Sequence, residues 1–358
     1  MKRRVAVGLA LSLLFIYLSF WKLDLAGLFS GEAGILAAFF GQPRIKLHQL
    51  GEVLTQVRFF YIILSVLLLI FSLFFRAQRW RIILQPVSPQ IRYWPVYAAM
   101  NAGYMINNVL PLRLGEILRA YILGKAENVS KSSVLATIIV ERVIDSLAAL
   151  ILLGITLFFF PFPDWIRNGL FYLGGAIILL VIFLFALLIK TAWTLELLRR
   201  MLKPFPQKWT EPVLKAINSF SGGLEILRSS HHYIAVLIHT VILQICYIVS
   251  VFVILLAFNL MAPEYPKIID NPLLASVVLL VIITIGISIP SAPGAVGTFH
   301  GIVAFGVSLF GVSAEISLGF AIILHLVNYI PLTALGLVCF WSQHFKFSEV
   351  RKQLPGES

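Results

Sequence analysis

Apolar runs long enough to cross a bilayer recur along this chain, at about 5–21, 59–75, 133–160, 168–190, 233–262 and 315–341. A helix satisfies every backbone hydrogen bond within itself, which hydrocarbon demands, so the pattern predicts six spanning helices. Two further apolar stretches, 93–124 and 273–311, are interrupted by Pro111 and Gly115 in the first and by Pro290, Pro293, Gly294 and Gly297 in the second. These predict broken helices. Segment 22–58 is mixed and predicts an interfacial excursion. Segment 191–232 alternates Leu, Ile and Phe with Lys and Arg, as an amphipathic surface helix does.

Composition turns this pattern into a class. Of the 358 residues, 59% are hydrophobic and 12% charged, and the mean hydropathy is +0.94, far more apolar than a soluble domain. The expectation is an all-α polytopic integral membrane protein with a single membrane domain over 1–358, in the plasma (inner) membrane. The opening "MKRRVAVGLALSLLFIYLSFW" also describes a signal peptide. It ends in bulky Phe20 and Trp21 where a cleavage site needs small residues, so a retained first span is expected. The net charge of +12 sits in short clusters between apolar runs, which sets orientation and does not make the continuous basic face a nucleic acid needs. Cys246 and Cys339 lie inside apolar runs, so no disulfide framework is expected.

Lys and Arg then set the topology. With a cytoplasmic N-terminus and with 93–124 entering and leaving on that side, the cytoplasmic loops hold 19 of them: three before residue 5, four in 76–92, two in 125–132, seven in 190–232 and three after 341. The outer loops hold six. If 93–124 crossed the membrane, the seven in 190–232 would move outside, against the positive-inside tendency. A re-entrant hairpin over 107–124 is therefore expected, with both chain termini cytoplasmic. Non-helical backbone at membrane depth requires protein or a water-filled cavity around it, so a cavity near Pro111 is implied.

The broken stretches resemble each other. "PLRLG" (111–115) and "PGAVG" (293–297) share P-x-x-x-G, and each precedes a Val-Ser pair, Val129-Ser130 and Val312-Ser313, opening a long apolar helix. Aligned from those pairs without gaps, Arg142 falls on His325 and Asp145 on Asn328. Three spans separate the two broken stretches, an odd number, so 93–160 and 273–341 read as an inverted repeat. Chance similarity between glycine-rich helical hairpins is the alternative.

Charge inside this frame marks the candidate chemistry. Arg113, Glu116 and Arg119 fall at i, i+3 and i+6, so Glu116 can pair with either arginine, and Glu141, Arg142 and Asp145 follow on the next long helix. Each unpaired charge at the centre of a membrane helix costs about 2.5–3.5 kcal/mol, so the six must face protein or water. Three arginines against three carboxylates sum to zero, and one reading is mutual neutralisation alone. No metal-type cluster, nucleotide motif or nucleophile-elbow G-x-S-x-G accompanies them, so neither a cofactor nor a metal is expected, and no catalytic residue is assigned.

The segments "NNVLPLRLGEILRAY", "ATIIVERVIDS", "SIPSAPGAVGTFHG" and "GVSAEISLGFAIILHLVNY" together resemble the lysylphosphatidylglycerol synthase transmembrane-region family, also described as flippase-like. The resemblance covers most of the chain, and its N-x-x-P-x-R-x-G-E and E-R-x-x-D elements carry it. It implies translocation of a lipid between leaflets. In the two-part members a separate soluble domain transfers the aminoacyl group. This chain stops at Ser358, soon after its last span, so the synthase activity is not carried over.

The expected function is translocation of an anionic lipid or lipid-linked head group through a cavity between the two repeats. Arg113 and Arg119 would grip phosphate in bidentate fashion, Glu116 would neutralise them when the site is empty, and Asn107, Asn108, Glu141, Arg142 and Asp145 complete the set. Pro111, Gly115, Pro293, Gly294 and Gly297 act either as hinges or as backbone anion ligands. His300 and His325 are either proton relays or hydrogen-bond anchors. Two other readings stay open: an intramembrane lipid-modifying enzyme with Glu116 or Glu141 as general base, and a non-transporting partner of a lipid-pathway enzyme with the basic 190–232 segment as its patch.

Overall fold

Each predicted apolar run becomes a helix in the computed structural model, which describes residues 2–21, 45–110, 114–189, 191–204, 206, 210–211, 214, 233–289 and 291–342. The helices are α1 (Lys2–Phe20), α2 (Leu47–Thr55), α3 (Phe59–Leu84), α4 (Tyr93–Val109), α5 (Gly115–Ala126), α6 (Lys131–Phe159), α7 (Asp164–Ile189), α8 (Thr191–Leu202), α9 (Tyr233–Ala257), α10 (Pro266–Ile269), α11 (Pro272–Gly286), α12 (Thr298–Ser308) and α13 (Ala314–Ser342). There is no strand among the described residues. The chain is an all-helical polytopic membrane protein. Residues 22–44 of the excursion predicted over 22–58, most of 205–232, Pro111, Arg113 and Pro290 lie outside the described residues.

Two units divide the chain, with boundaries inside α3, α4, α5 and α9. The first comprises Met1–Ser72, Asn101–Gly115 and Ile245–Ser358. Here α12 packs on α1, α11 and α13. Ser12 of α1 fastens the contact: its Oγ accepts the Ala292 N–H at 2.9 Å and shares a hydrogen bond with Thr298 Oγ1 at 3.2 Å. At Gly297, φ is +86° and a Cβ would collide with the Ser12 carbonyl oxygen, so both backbone conformation and the close approach of α1 require glycine. The first apolar run is thus part of the unit's packing.

The break between α4 and α5 also lies at a glycine of this unit. Asn107 Oδ1 accepts the Gly115 N–H at 2.7 Å, and a Cβ on Gly115 would strike the Gly103 carbonyl oxygen. Gly115, the first residue of α5, therefore lies beside residues 103 and 107.

The second unit comprises Leu73–Met100 and Glu116–Gln244. Its interior gathers Trp80, Ile83 and Leu84 from α3, Leu118, Ile122 and Leu123 from α5, and Val134 and Ile138 from α6. α6 packs on α7, and α7 on α8. Phe158, Phe159, Trp165, Tyr172 and Leu179 are exposed, an apolar surface that suits hydrocarbon and would be a liability in water. One boundary differs from the sequence pattern. The pattern ends the run at 59–75, before Arg76, but α3 continues to Leu84 because Trp80, Ile83 and Leu84 keep its inward face apolar while Arg76 and Arg79 find carboxylates.

α6 and α13 have the same length, 29 residues, and begin at equivalent positions. Each opens on a serine cap: Ser130 Oγ accepts the Ser133 N–H and Ser313 Oγ accepts the Ile316 N–H.

Candidate functional site

The predicted charges of α5 and α6 come together in the second unit, joined by two arginines that the sequence reading had placed in a loop. Glu141, on the inward face of α6, is fully buried (0% exposed) and meets four guanidinium groups. Arg76 Nε donates to its Oε1 at 3.2 Å, Arg79 Nη2 lies at 3.6 Å and Arg142 Nη2 at 3.5 Å, while Arg119 Nη2 donates to Oε2. One turn along α6, Asp145 accepts from Arg79 Nη2 at 2.6 Å and from Arg76 Nη2 at 3.0 Å, with Arg142 Nη1 at 3.7 Å. Arg142 Nε faces Glu116 at 3.6 Å. The i, i+3 and i, i+4 spacings on α3 and α6 put each helix's charges on one face, so the helices meet charge to charge.

Two neutral groups hold this cluster in place. The Arg119 guanidinium lies over the Trp80 ring, 3.5 Å from its centroid. The indole N–H of Trp80 donates to Thr137 Oγ1 at 3.1 Å, and Arg79 Nη1 donates to Thr240 Oγ1 at 3.1 Å. The Nε atoms of Arg79 and Arg119 are buried without a hydrogen-bond acceptor. A buried donor left unsatisfied costs about 1–3 kcal/mol, so the cluster has more donors than its own carboxylates use.

Burial grades across the cluster. Arg79 and Arg119 are almost wholly buried, Arg76 and Asp145 are partly open, and Glu116 and Arg142 are 34% and 38% exposed. Among the described residues four arginines face three carboxylates, leaving one positive charge in excess, with a half-exposed arginine at one end and a buried carboxylate at the other. The sequence count had balanced three against three, with Arg113 included and Arg76 and Arg79 left out. Arg113 and Pro111 lie outside the described residues.

The pairing also differs in detail from what the spacing suggested. Glu116 faces Arg142; of the two arginines that the spacing offers it, Arg119 turns inward to Glu141 and Arg113 lies outside the described residues. The signal for Arg76 and Arg79 was present in "FFRAQRWRIIL", where arginines recur at helical spacing inside a run that resumes its apolar pattern.

The remaining predicted residues belong to the first unit. Asn107 holds Gly115, and Asn108 Nδ2 donates to Thr333 Oγ1 at 2.9 Å. Pro293 begins a single 3-10 turn, Pro293–Ala295, and Gly294 and Gly297 adopt positive φ around it. His325 Nε2 donates to the Gly294 carbonyl at 2.8 Å, and His300 Nδ1 accepts the Gly297 N–H at 3.3 Å. The imidazoles lie 4.7 Å apart, centroid to centroid. Each histidine anchors the broken backbone through one ring nitrogen. The N–H groups of Ala292, Ala295 and Gly297 already have acceptors within the fold. Among the described residues no group of three or more His, Cys, Asp or Glu side chains is arranged to hold a metal ion.

With this geometry in place, the chain can be set beside known proteins. It is 26% identical over 297 residues to a UPF0104 membrane protein of Methanothermobacter thermautotrophicus, covering 77% of this chain and 83% of that protein. It is 24% identical over 312 residues to a UPF0104 membrane protein of Methanocaldococcus jannaschii, covering 82% and 88% respectively. No solved structure matches. The family described as the lysylphosphatidylglycerol synthase TM region matches residues 5–336, nearly the whole chain, and this protein belongs to that family.

Proposed function

We propose that the protein moves an anionic lipid, or a lipid-linked anionic head group, between membrane leaflets, and that the head group is received at the exposed end of the arginine cluster. The observation that carries this reading is the excess of arginine over carboxylate, combined with exposure that rises from Glu141 towards Arg142 and Glu116. A guanidinium matches phosphate oxygens in a bidentate fork. Glu116 beside Arg142 acts as the neutralising carboxylate, the role first expected of it towards Arg113 and Arg119. Arg119, committed to Glu141 and stacked on Trp80, is the inner support of the site and not its contact residue. Arg76 and Asp145 link the two ends.

Membership of a family described by a lipid synthase's membrane region agrees with a lipid-related role. The equal length and matched serine caps of α6 and α13 support an inverted repeat, and the place of Gly115 beside residues 103 and 107 supports a re-entrant hairpin.

The test is transbilayer movement in proteoliposomes containing purified protein, with fluorescent phosphatidylglycerol, phosphatidylcholine and diacylglycerol as probes. The expected outcome is protein-dependent movement of phosphatidylglycerol ahead of the zwitterionic and uncharged probes. Equal movement of all three, or none, contradicts a head-group site of this kind. Chemical alteration of the head group would favour an enzyme instead.

A further inference from the structure

α8 carries an apolar stripe that the described residues of its unit leave exposed. Twelve residues long, it follows α7 with only residue 190 between them and is in contact with it. At roughly 100° per residue, Thr194, Leu195, Leu198 and Leu202 fall on one side of the helix, and these are the buried or half-buried positions. Trp193, Leu197 and Met201, at i, i+4 and i+8, form the adjoining stripe and are 59%, 41% and 65% exposed. Glu196, Arg199, Arg200 and Lys203 occupy the rest of the circumference, all exposed. Glu196 pairs with Arg200 at 3.2 Å and with Arg199 at 3.8 Å, so the arc keeps a net positive charge.

We infer that α8 lies in the membrane interface, with Trp193, Leu197 and Met201 in the acyl boundary and Arg199, Arg200 and Lys203 on the phosphates of anionic lipids. Two observations fix lipid as the occupant. α8 starts one residue beyond α7, whose Leu179, Leu180 and Ile182 are exposed apolar residues of a hydrophobic 26-residue helix, so the uncovered stripe begins where a lipid-facing surface ends. The cationic arc borders the apolar stripe, the order in which head groups and acyl chains are met on leaving the bilayer. A tryptophan at the edge of the stripe suits the same depth. This inference is independent of the transport reading, since it concerns neither the arginine cluster nor lipid movement.

Site-directed nitroxide labelling tests it, in full-length protein with Cys246 and Cys339 replaced by alanine and reconstituted in nanodiscs. Two bilayers are compared, pure phosphatidylcholine and phosphatidylcholine with one-third phosphatidylglycerol. Labels at Leu197→Cys and Met201→Cys are expected to collide with oxygen in preference to a water-soluble nickel chelate, and a label at Glu196→Cys to show the reverse. Phosphatidylglycerol should shift Leu197→Cys deeper, and Arg199→Gln with Arg200→Gln should abolish that shift. Each arginine near an anionic surface is worth about fivefold in local preference. Nickel access at 197 and 201 equal to that at 196 overturns the inference, because the stripe then faces water. Immobile labels excluded from both reagents also overturn it, because a protein segment then covers the stripe. Failure of phosphatidylglycerol to shift the label in the presence of both arginines overturns the anionic-lipid part. Size-exclusion profiles matching the parent protein confirm that the variants read a folded state.

Discussion

Glu141 draws its partners from three helices: Arg76 and Arg79 from α3, Arg119 from α5 and Arg142 from α6 itself. Removing its charge leaves several guanidinium groups facing one another around a sealed pocket. Glu141→Gln is therefore expected to destabilise the protein by about 3–5 kcal/mol, the scale for breaking a buried ion pair from one side. Thermal unfolding in detergent would register it as a large fall in Tm. Trp80→Leu loses the cation–π contact beneath Arg119 and the hydrogen bond to Thr137, with an expected cost of about 1–3 kcal/mol in the same assay. Arg142→Lys, at the open end, keeps the charge but not the fork. It should lower lipid movement while leaving Tm near that of the unmodified protein. The five charges that α5 and α6 bring to the cluster were legible in the sequence because nothing but pairing or solvent excuses a charge there. Arg76 and Arg79 were not, because an arginine at the edge of an apolar run looks the same whether it enters a loop or continues the helix. Which partner each arginine chooses depends on side-chain directions across three helices, and spacing along one helix does not contain that.

At the scale of elements, glycine and proline marked both breaks, and the partners that hold them are local in Asn107 and His300 and remote in Ser12. The N–H of Gly297 is received by His300, three residues on, as the returning half of a capping box receives its donor. His300→Gln keeps a side-chain acceptor, whereas His300→Leu strands the donor. The leucine variant should be less stable by about 1 kcal/mol, and the glutamine variant close to the parent, by thermal unfolding. The caps at Ser130 and Ser313 were visible as Val-Ser pairs because an N-cap is a local, sequence-coded device. The engagement of Ser12 with Ala292 and Thr298 spans some 280 residues of chain and left no local signal.

For the molecule as a whole, the apolar pattern settled class and helix order because hydrocarbon admits few backbone solutions. Moving Arg76 and Arg79 from a loop into a buried network takes two charges from the cytoplasmic side of the count, 17 against six in place of 19, and the bias keeps its direction. A cysteine at the exposed Ser132 is accordingly expected to react with an impermeant thiol reagent only from the cytoplasmic side of the membrane, and labelling from outside would refute the re-entrant topology. The central claim divides the arginine cluster into an inner end that builds the fold and an open end that receives the lipid. Its most direct test is one paired measurement: the rate of phosphatidylglycerol movement in proteoliposomes, read beside the Tm of the same preparations, for Arg142→Gln and for Arg119→Gln. The account predicts a folded, monodisperse Arg142→Gln protein that has lost lipid movement, and an Arg119→Gln protein that fails first in folding. Undiminished movement by a well-folded Arg142→Gln protein would contradict it.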